Sequence, residues 1–330
     1  MRIVAFILTL VVLTGCAVGP DYSRPDLQVP NGFRMAASAQ ETESFANLPW
    51  WDLLQDEELR RLIRIALAEN KDLQRAVASV EEFQSRLFIS KMDFAPKADV
   101  TANAPSFGRK ANFLFPGFPN PFNYYLQGNL SWEMDIWGRV RRSNEAARGD
   151  LLAREEARRA VVLQLVSGVA EAYFELLQFD MQLGVAQRTL KSWEESVRIA
   201  EARLRQGMIS RIDADQFEAE RANAAARAAE LTRQMVQKEN QLSVLLGRPP
   251  GQVARGRSLT EQVLPPDVPA GLPSELLQRR PDLVQAEQEL AAATARIGVA
   301  KADRFPKLSI TGILGVASPQ LSRLVANETA

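Results

Sequence analysis

The sequence contains no histidine and only one cysteine, which excludes several kinds of site at once. Zinc sites built from histidine and cysteine, Ser-His-Asp triads and Cys-His dyads all need residues that this chain lacks. Its 40 lysines and arginines balance 40 aspartates and glutamates, whereas nucleic-acid-binding proteins usually carry an excess of positive charge. No glycine-rich phosphate-binding loop is present. The composition therefore favours a protein that is not an enzyme and that has no cofactor, no metal site and no nucleic-acid partner.

An internal repeat is the most informative feature that the sequence does contain. The stretch Asp72–Thr101 aligns without a gap to Asp282–Thr311, at an offset of 210 residues. Nine positions are identical between the two copies, among them the Pro96-Lys97 pair that returns as Pro306-Lys307. Each copy passes from a helix-like pattern through this Pro-Lys break into alternating residues. Because a long internal period usually reveals the architecture, the chain is predicted to contain two copies of a helix-to-strand unit.

The N-terminus carries the pattern of an exported lipoprotein. An apolar run too short to span a bilayer predicts a signal peptide over residues 1–15. Leu13-Thr14-Gly15-Cys16 resembles the bacterial lipoprotein box, which implies cleavage before Cys16 and acylation of that residue. Ala17 follows, where an aspartate is usual in lipoproteins of the inner membrane, so the resemblance implies the outer membrane. Residues 16–48 are predicted to form an extended, lipid-anchored arm; the alternative is an ordinary signal peptide with an incidental cysteine.

Two segments with a period of two residues predict a pair of strands within residues 97–136. Residues from Lys97 to Ala104 alternate, and the alternation is stronger from Tyr124 to Ile136, where one face is apolar and the other polar. A strand of this length can cross a bilayer, with its apolar face toward lipid and its polar face toward a water-filled barrel. A hairpin lying on a soluble core alternates in the same way, so both interpretations remain open at this point.

A very long helical hairpin is predicted over residues 138–247. Between residues 138 and 205 there is no proline, and apolar residues recur at spacings of three and four, as in a coiled coil. Gly207 can end the first helix and Ser210 can start the second. The hairpin closes a first repeat over residues 49–247, followed by a linker over 248–272 and an incomplete second repeat over 273–330.

These features together resemble the TolC/OprM family of outer-membrane efflux factors, in its lipid-anchored NodT-like branch. The resemblance lies in the sequences of residues 13–22, 132–139, 205–213, 280–283 and 305–308. It implies a mainly α-helical fold with a small transmembrane β part, in which helical hairpins form an α-barrel and strands form a trimeric outer-membrane β-barrel. It also implies a homotrimer in outer-membrane lipid that works with a periplasmic adaptor, or membrane fusion protein, and an inner-membrane RND-type pump. Such channels export drugs, metals or other small toxic compounds.

The resemblance assigns roles to particular residues. Cys16 is the lipid attachment site, and Glu133 and Asp135 are expected to face the lumen. Asp213 and Asp215 are expected at the periplasmic mouth, where acidic residues favour cations; the alternative is that they only stabilise the helix start. The hairpin tip is expected to contact the adaptor through six residues: Gly207, Met208, Ile209, Ser210, Arg211 and Asp213.

The offset of the repeat also predicts where a complete chain would end. By this measure it would reach about residue 456, so most of a third strand, a fourth strand and the second helical hairpin are expected to be missing. The chain is therefore expected to be an incomplete, non-functional copy of a channel subunit. The alternative functions are a periplasmic coiled-coil lipoprotein that acts as a scaffold or adaptor without a pore, and a carboxylate-dependent hydrolase of the cell envelope.

Overall fold

A computed structural model describes residues 17–26, 54–103, 124–263, 277–318 and 320–324. The architecture is mainly helical with one small antiparallel sheet, as the sequence predicts. In chain order, the elements are helices α1 (Glu57–Glu69) and α2 (Lys71–Met92), strands β1 (Lys97–Asn103) and β2 (Tyr124–Met134), helices α3 (Arg139–Arg205), α4 (Arg211–Leu245) and α5 (Pro281–Ala302), and strand β3 (Leu308–Ser318). Short 3-10 turns cover Leu259–Glu261 and Leu321–Arg323.

The internal repeat is also present in the structure. Each bound of α5 lies 210 residues after the corresponding bound of α2. An ion pair between an aspartate and the lysine four residues later recurs in both copies. Asp93 and Lys97 are 2.8 Å apart, and Asp303 and Lys307 are 3.2 Å apart. The predicted repeat is thus confirmed as a repeat of structure.

The three strands form an antiparallel sheet in the order β1-β2-β3. β2 lies in the centre and pairs along its whole length with β3, from Tyr124 opposite Ser318 to Met134 opposite Leu308. The expectation that most of the third strand would be missing is therefore wrong, because β3 is an 11-residue strand with a complete set of partners in β2. The central strand ends at Met134, since the next residues turn to start α3.

Glycines with a positive φ end the long helices of the hairpin. At the end of α3, Gly207 has a φ of 74°, and the amides of Met208 and Gly207 donate to the carbonyls of Arg203 and Leu204. Gly247 has a φ of 70° and ends α4 in the same way. Glycine adopts this conformation without steric cost, and the pattern satisfies the last carbonyls of a helix. α5 begins at Pro281, and proline suits the first helical position.

The chain divides into two compact units. One comprises the described parts of Met1–Asp26, Val80–Arg154 and Gln285–Ala330 and contains the sheet. The other comprises the described parts of Leu27–Ser79 and Glu155–Val284 and contains the hairpin from Glu155 onward. The boundaries predicted along the chain cut it differently and stay predictions.

The hairpin-containing unit has an apolar core built on one face of α1 and the middle of α3. The side chains at its centre are almost completely buried, which is the outcome that an apolar repeat of three and four residues favours. They are Leu59, Leu62, Ile63, Val169, Tyr173, Leu176 and Leu242.

Candidate functional site

One face of the sheet is apolar and exposed. Leu314 of β3 is 85% exposed, and β3 is exposed along almost its entire length. The strand register places the following side chains on this face: Ala98, Val100 and Ala102 of β1, Leu126, Leu130 and Trp132 of β2, and Leu308, Ile310, Leu314 and Val316 of β3. A contiguous apolar surface of this kind marks contact with lipid or with another chain.

The opposite face of the sheet is largely polar. Asn129 of β2 donates to the carboxylate of Asp99 on β1 at 2.7 Å, and Thr101 donates to the same carboxylate at 3.4 Å. The exception is Ile313, which lies on this face and is 71% exposed. A sheet packed on a soluble core would bury its apolar face and expose its polar one. Here the apolar face is uncovered, which favours the interpretation of a membrane barrel over that of a hairpin on a soluble core.

Aromatic side chains gather where the sheet meets the helices. The indole nitrogen of Trp132 donates to the carbonyl of Phe94 at 3.0 Å, and that of Trp137 donates to the carbonyl of Pro306 at 3.1 Å. Trp137 also stacks on Phe305, with ring centroids 4.5 Å apart. Aromatic rings with one polar edge prefer the boundary between lipid and water. The junction between strands and helices therefore has the composition of a membrane interface.

Glu133 and Asp135 link the end of β2 to the start of α3 through hydrogen bonds. Both oxygens of Glu133 accept from Arg139, at 2.8 and 2.6 Å, and this hydrogen bond raises the pKa of the arginine. Asp135 accepts from the amides of Val140 and Arg141, each at 2.9 Å, and thus caps α3. Their contacts give both carboxylates a structural role, while their position toward a lumen stays a prediction.

The hairpin tip exposes apolar side chains next to a rigid turn. Met208 is 64% exposed, Ile212 is more exposed still, and Ile209 is half-buried. Gly207 holds the turn in its left-handed conformation. Such a tip offers a small apolar patch on a fixed backbone, which suits docking against another protein. Contact with an adaptor stays a prediction.

The polar residues of the tip stabilise the start of α4. Ser210 is the N-cap: its hydroxyl accepts from the amide of Asp213, whose carboxylate accepts from the hydroxyl and the amide of Ser210. These hydrogen bonds lower the pKa of Asp213. Arg211 and Asp215 form an ion pair at 3.0 Å. The contacts match the alternative in which these aspartates stabilise the helix start; their role at a channel mouth stays a prediction.

Ser210→Ala should loosen the first turn of α4 without unfolding the hairpin. Losing a serine N-cap costs about 1 kcal/mol, so the amide of Asp213 should exchange with solvent about five times faster. Hydrogen exchange of the tip peptide measures this, with Ser196→Ala, within α3, as the control. Unchanged exchange at Asp213 would contradict the assigned capping box.

The remaining predicted sites have a simpler outcome. Cys16 lies outside the described residues, and the first described residue is Ala17. Within the described ranges, no group of three or more histidine, cysteine, aspartate or glutamate side chains comes together in a way that could hold a metal ion. Sequence reasoning missed the partners of the arm, Gly298 and Glu287 of α5. The available signal was that the second copy departs from the first at these positions.

Comparison with known proteins shows which proteins the chain resembles. The family model described as "Outer membrane efflux protein" matches residues 62–248 and 272–329. The chain is 34% identical over 322 residues to the cation efflux system protein CusC of Escherichia coli. This alignment covers 94% of this chain and 67% of CusC. It is 31% identical over 325 residues to the probable outer membrane lipoprotein SilC of Salmonella typhimurium. That alignment covers 96% of this chain and 69% of SilC.

A solved structure agrees with the sequence relatives. The open state of the MtrE outer membrane channel of Neisseria gonorrhoeae superposes with a TM-score of 0.79 at 32% identity, covering 95% of this chain and 70% of MtrE. The chain thus spans about two thirds of the length of the proteins that it resembles.

Proposed function

Because the chain belongs to the outer membrane efflux protein family, we propose that it supplies one subunit's strands and helical hairpin to an export channel of the outer membrane. The observation that carries this proposal is the exposed apolar face of the sheet, backed by a polar face. Lipid on one side and water on the other is the environment that this pattern fits. The periplasmic scaffold without a pore is not favoured, because it would leave the apolar face in water.

The edges of the sheet support an assembly of several copies. In the described part of the chain, β1 and β3 each pair on one side only, with β2. Within a bilayer every backbone amide and carbonyl needs a partner, so strands in lipid must form a closed barrel. A homotrimer whose subunits also carry the expected fourth strand, as the family resemblance implies, would satisfy these edges and close the barrel.

The hairpin tip supports a partner on the periplasmic side. The exposed side chains of Met208 and Ile212 lie beside a turn that Gly207 and Ser210 make rigid. We assign this tip to contact with a periplasmic adaptor, which joins the channel to an inner-membrane pump. The cargo of such a channel is a small toxic molecule, and the relative CusC, named as a cation efflux system protein, agrees with this class.

Membrane attachment by the lipid must be separated from attachment by the strands in order to test the proposal. A recognition site for a specific protease is inserted between Asp26 and Leu54, and the assembled protein is cleaved in isolated outer membranes. The membranes are then washed with carbonate and urea. The body of the protein should stay in the membrane pellet after cleavage, because the strands lie in lipid.

The uncleaved protein, which keeps its lipid, is the control for this wash. Release of the cleaved body into the urea supernatant would overturn the channel proposal and support the lipoprotein scaffold. The comparison is decisive because the same molecules assemble with their native anchor before the cut is made.

A further inference from the structure

The described arm after the predicted lipid site lies directly against the junction of strands and helices. The amide of Val18 donates to the carbonyl of Trp137 at 3.0 Å. Gly19 has a φ of 117°, and a Cβ added there would lie 2.5 Å from the Cα of Gly298 on α5. A Cβ added to Gly298 would in turn lie 2.9 Å from the carbonyl oxygen of Val18. The two backbones therefore approach so closely that only glycine fits at both positions.

Charged and polar side chains extend this contact along the arm beyond the glycine pair. Asp21 of the arm accepts from Arg142 at 2.5 Å, and the arginine side chain is almost completely buried. Further along, Tyr22 donates to Glu287 of α5 at 3.2 Å, and Arg24 donates to the other oxygen of Glu287 at 2.6 Å. Charge-assisted hydrogen bonds of this kind add direction to the glycine contact. The arm is thus bound along several residues.

The two repeats differ at the positions that the arm contacts. Gly298 corresponds to Phe88 of α2, which is 60% exposed, and Glu287 corresponds to Val77. The rest of the α5 face is also small and buried where α2 carries larger or polar, exposed residues. The corresponding residues are Ala292, Ala295 and Ala302 in α5 and Glu82, Ser85 and Met92 in α2. A phenylalanine at the crossing point and a valine in place of the carboxylate would both prevent the arm from binding to α2.

We propose that residues 17–24 form a strap that recognises the helix of the second repeat, α5, and holds the N-terminal anchor at the junction of strands and helices. The proposal rests on the proposed function, since it takes the sheet to lie in the outer membrane. Although the two repeats share one fold, only α5 offers a glycine at the crossing point and a carboxylate for Tyr22 and Arg24. Each subunit therefore has one strap position rather than two.

The strap determines where the lipid chains can start. Ala17, the first described residue, directly follows the predicted lipid site, Cys16. A Cβ added to Gly138 would lie 2.7 Å from Ala17, which shows that the arm is packed against the junction from its first described residue. Trp137, whose carbonyl accepts from the amide of Val18, belongs to the aromatic boundary described above. The arm is therefore held at the aromatic boundary of the sheet from the residue that directly follows the predicted lipid site.

The test measures deuterium uptake by the peptide spanning residues 17–26 in the whole, membrane-assembled protein. In the unchanged protein this peptide should be protected, and Gly298→Phe, which copies the residue of the first repeat, should speed its exchange by about tenfold or more. Gly184→Phe is the matched control: it places the same side chain on a helical glycine in the other compact unit, where an added Cβ meets only Arg188. It should leave the arm protected.

A charge exchange provides a second measurement that does not depend on added bulk. Arg24→Glu and Glu287→Arg should each speed exchange of the arm, and the two changes together should restore protection, because the ion pair is rebuilt with reversed charges. Protection of the arm that is unchanged by Gly298→Phe, by Arg24→Glu and by Glu287→Arg would overturn the proposal, as would an unprotected arm in the unchanged protein.

The two measurements distinguish a failure of the strap proposal from a failure of the proposed function. If the strap is lost but the sheet is in lipid, the arm exchanges rapidly while the protease-cleaved body still resists the urea wash. If the sheet is not in lipid, the body is released whatever the exchange rate of the arm.

Discussion

Leu314→Arg should strongly reduce stable insertion of the sheet into the outer membrane. Leu314 is the most exposed residue on the apolar face, and the proposed channel turns this face toward lipid. An arginine near the middle of the bilayer costs a transmembrane barrel about 2–4 kcal/mol. Since about 1.4 kcal/mol corresponds to a factor of ten, the equilibrium constant for insertion should fall by about thirtyfold or more. Resistance of the cleaved protein body to carbonate and urea washing measures the effect.

The neighbouring residue provides a matched control for this change. Ile313→Arg introduces the same side chain one position earlier in β3, at a residue that is also well exposed. Ile313 lies on the polar face, where an arginine would meet water, so most of the insertion should be kept. Equal losses for both variants would contradict the assignment of the two faces. Equal retention of both would show that the apolar face does not meet lipid.

Patterns that are local in sequence predicted most of the fold. The alternation from Tyr124 onward predicted β2, and the apolar repeat without proline predicted α3, because each period fixes which side chains share a face. The repeat predicted α5 and the start of β3 from α2 and β1. The observed strand stops at Met134, earlier than the alternation does, since Asp135 turns to cap α3. A side chain that binds backbone amides several residues later is invisible to a period-two pattern.

Contacts between distant residues could not be predicted in this way. Gly19 and Gly298 look like ordinary glycines in the sequence, and only the fold brings them together. The same is true of Arg255, which pairs with Asp180 at 2.9 Å and with Glu239 at 2.5 Å across the base of the hairpin. No spacing rule relates these positions, because their proximity depends on where separate elements pack.

Asp56 is the clearest example of such a distant contact, and its loss should have a large effect on the hairpin-containing unit. The residue is 3% exposed and caps α1 by accepting from the amides of Glu58 and Leu59. It also joins α1 to α3 and to the segment after α4, because its other oxygen accepts from three further groups. The donors are the hydroxyl of Tyr173 at 3.1 Å, the amide of Arg257 at 3.3 Å and the side chain of Gln262 at 2.7 Å.

Asp56→Ala should destabilise this unit by about 3 kcal/mol. Losing an N-cap costs about 1–2 kcal/mol, and leaving its buried partners without an acceptor costs about 1–3 kcal/mol more. Amides of α1 such as Leu62 and Ile63 should then exchange roughly a hundredfold faster, which hydrogen exchange measures residue by residue. Ser258→Ala is the control, because it removes an exposed hydroxyl in the segment after α4 that contacts Asp56. Similar exchange in both variants would contradict a special role for Asp56.

The stabilisation by Asp56 should also depend on pH in a defined direction. Burial works against the charge of Asp56, but hydrogen bonds from Gln262, from the amide of Leu59 and from Tyr173 outweigh it and lower the pKa of the carboxyl. A group whose pKa is lower in the folded protein stabilises it above the pKa of the unfolded chain, about 3.9, and this contribution is lost as pH falls through the folded pKa. Protection of the α1 amides should therefore decline below about pH 4 in the unchanged protein. In Asp56→Asn the decline should be shallower, because no proton is taken up at this position, and an equally steep decline would show that other carboxylates cause it.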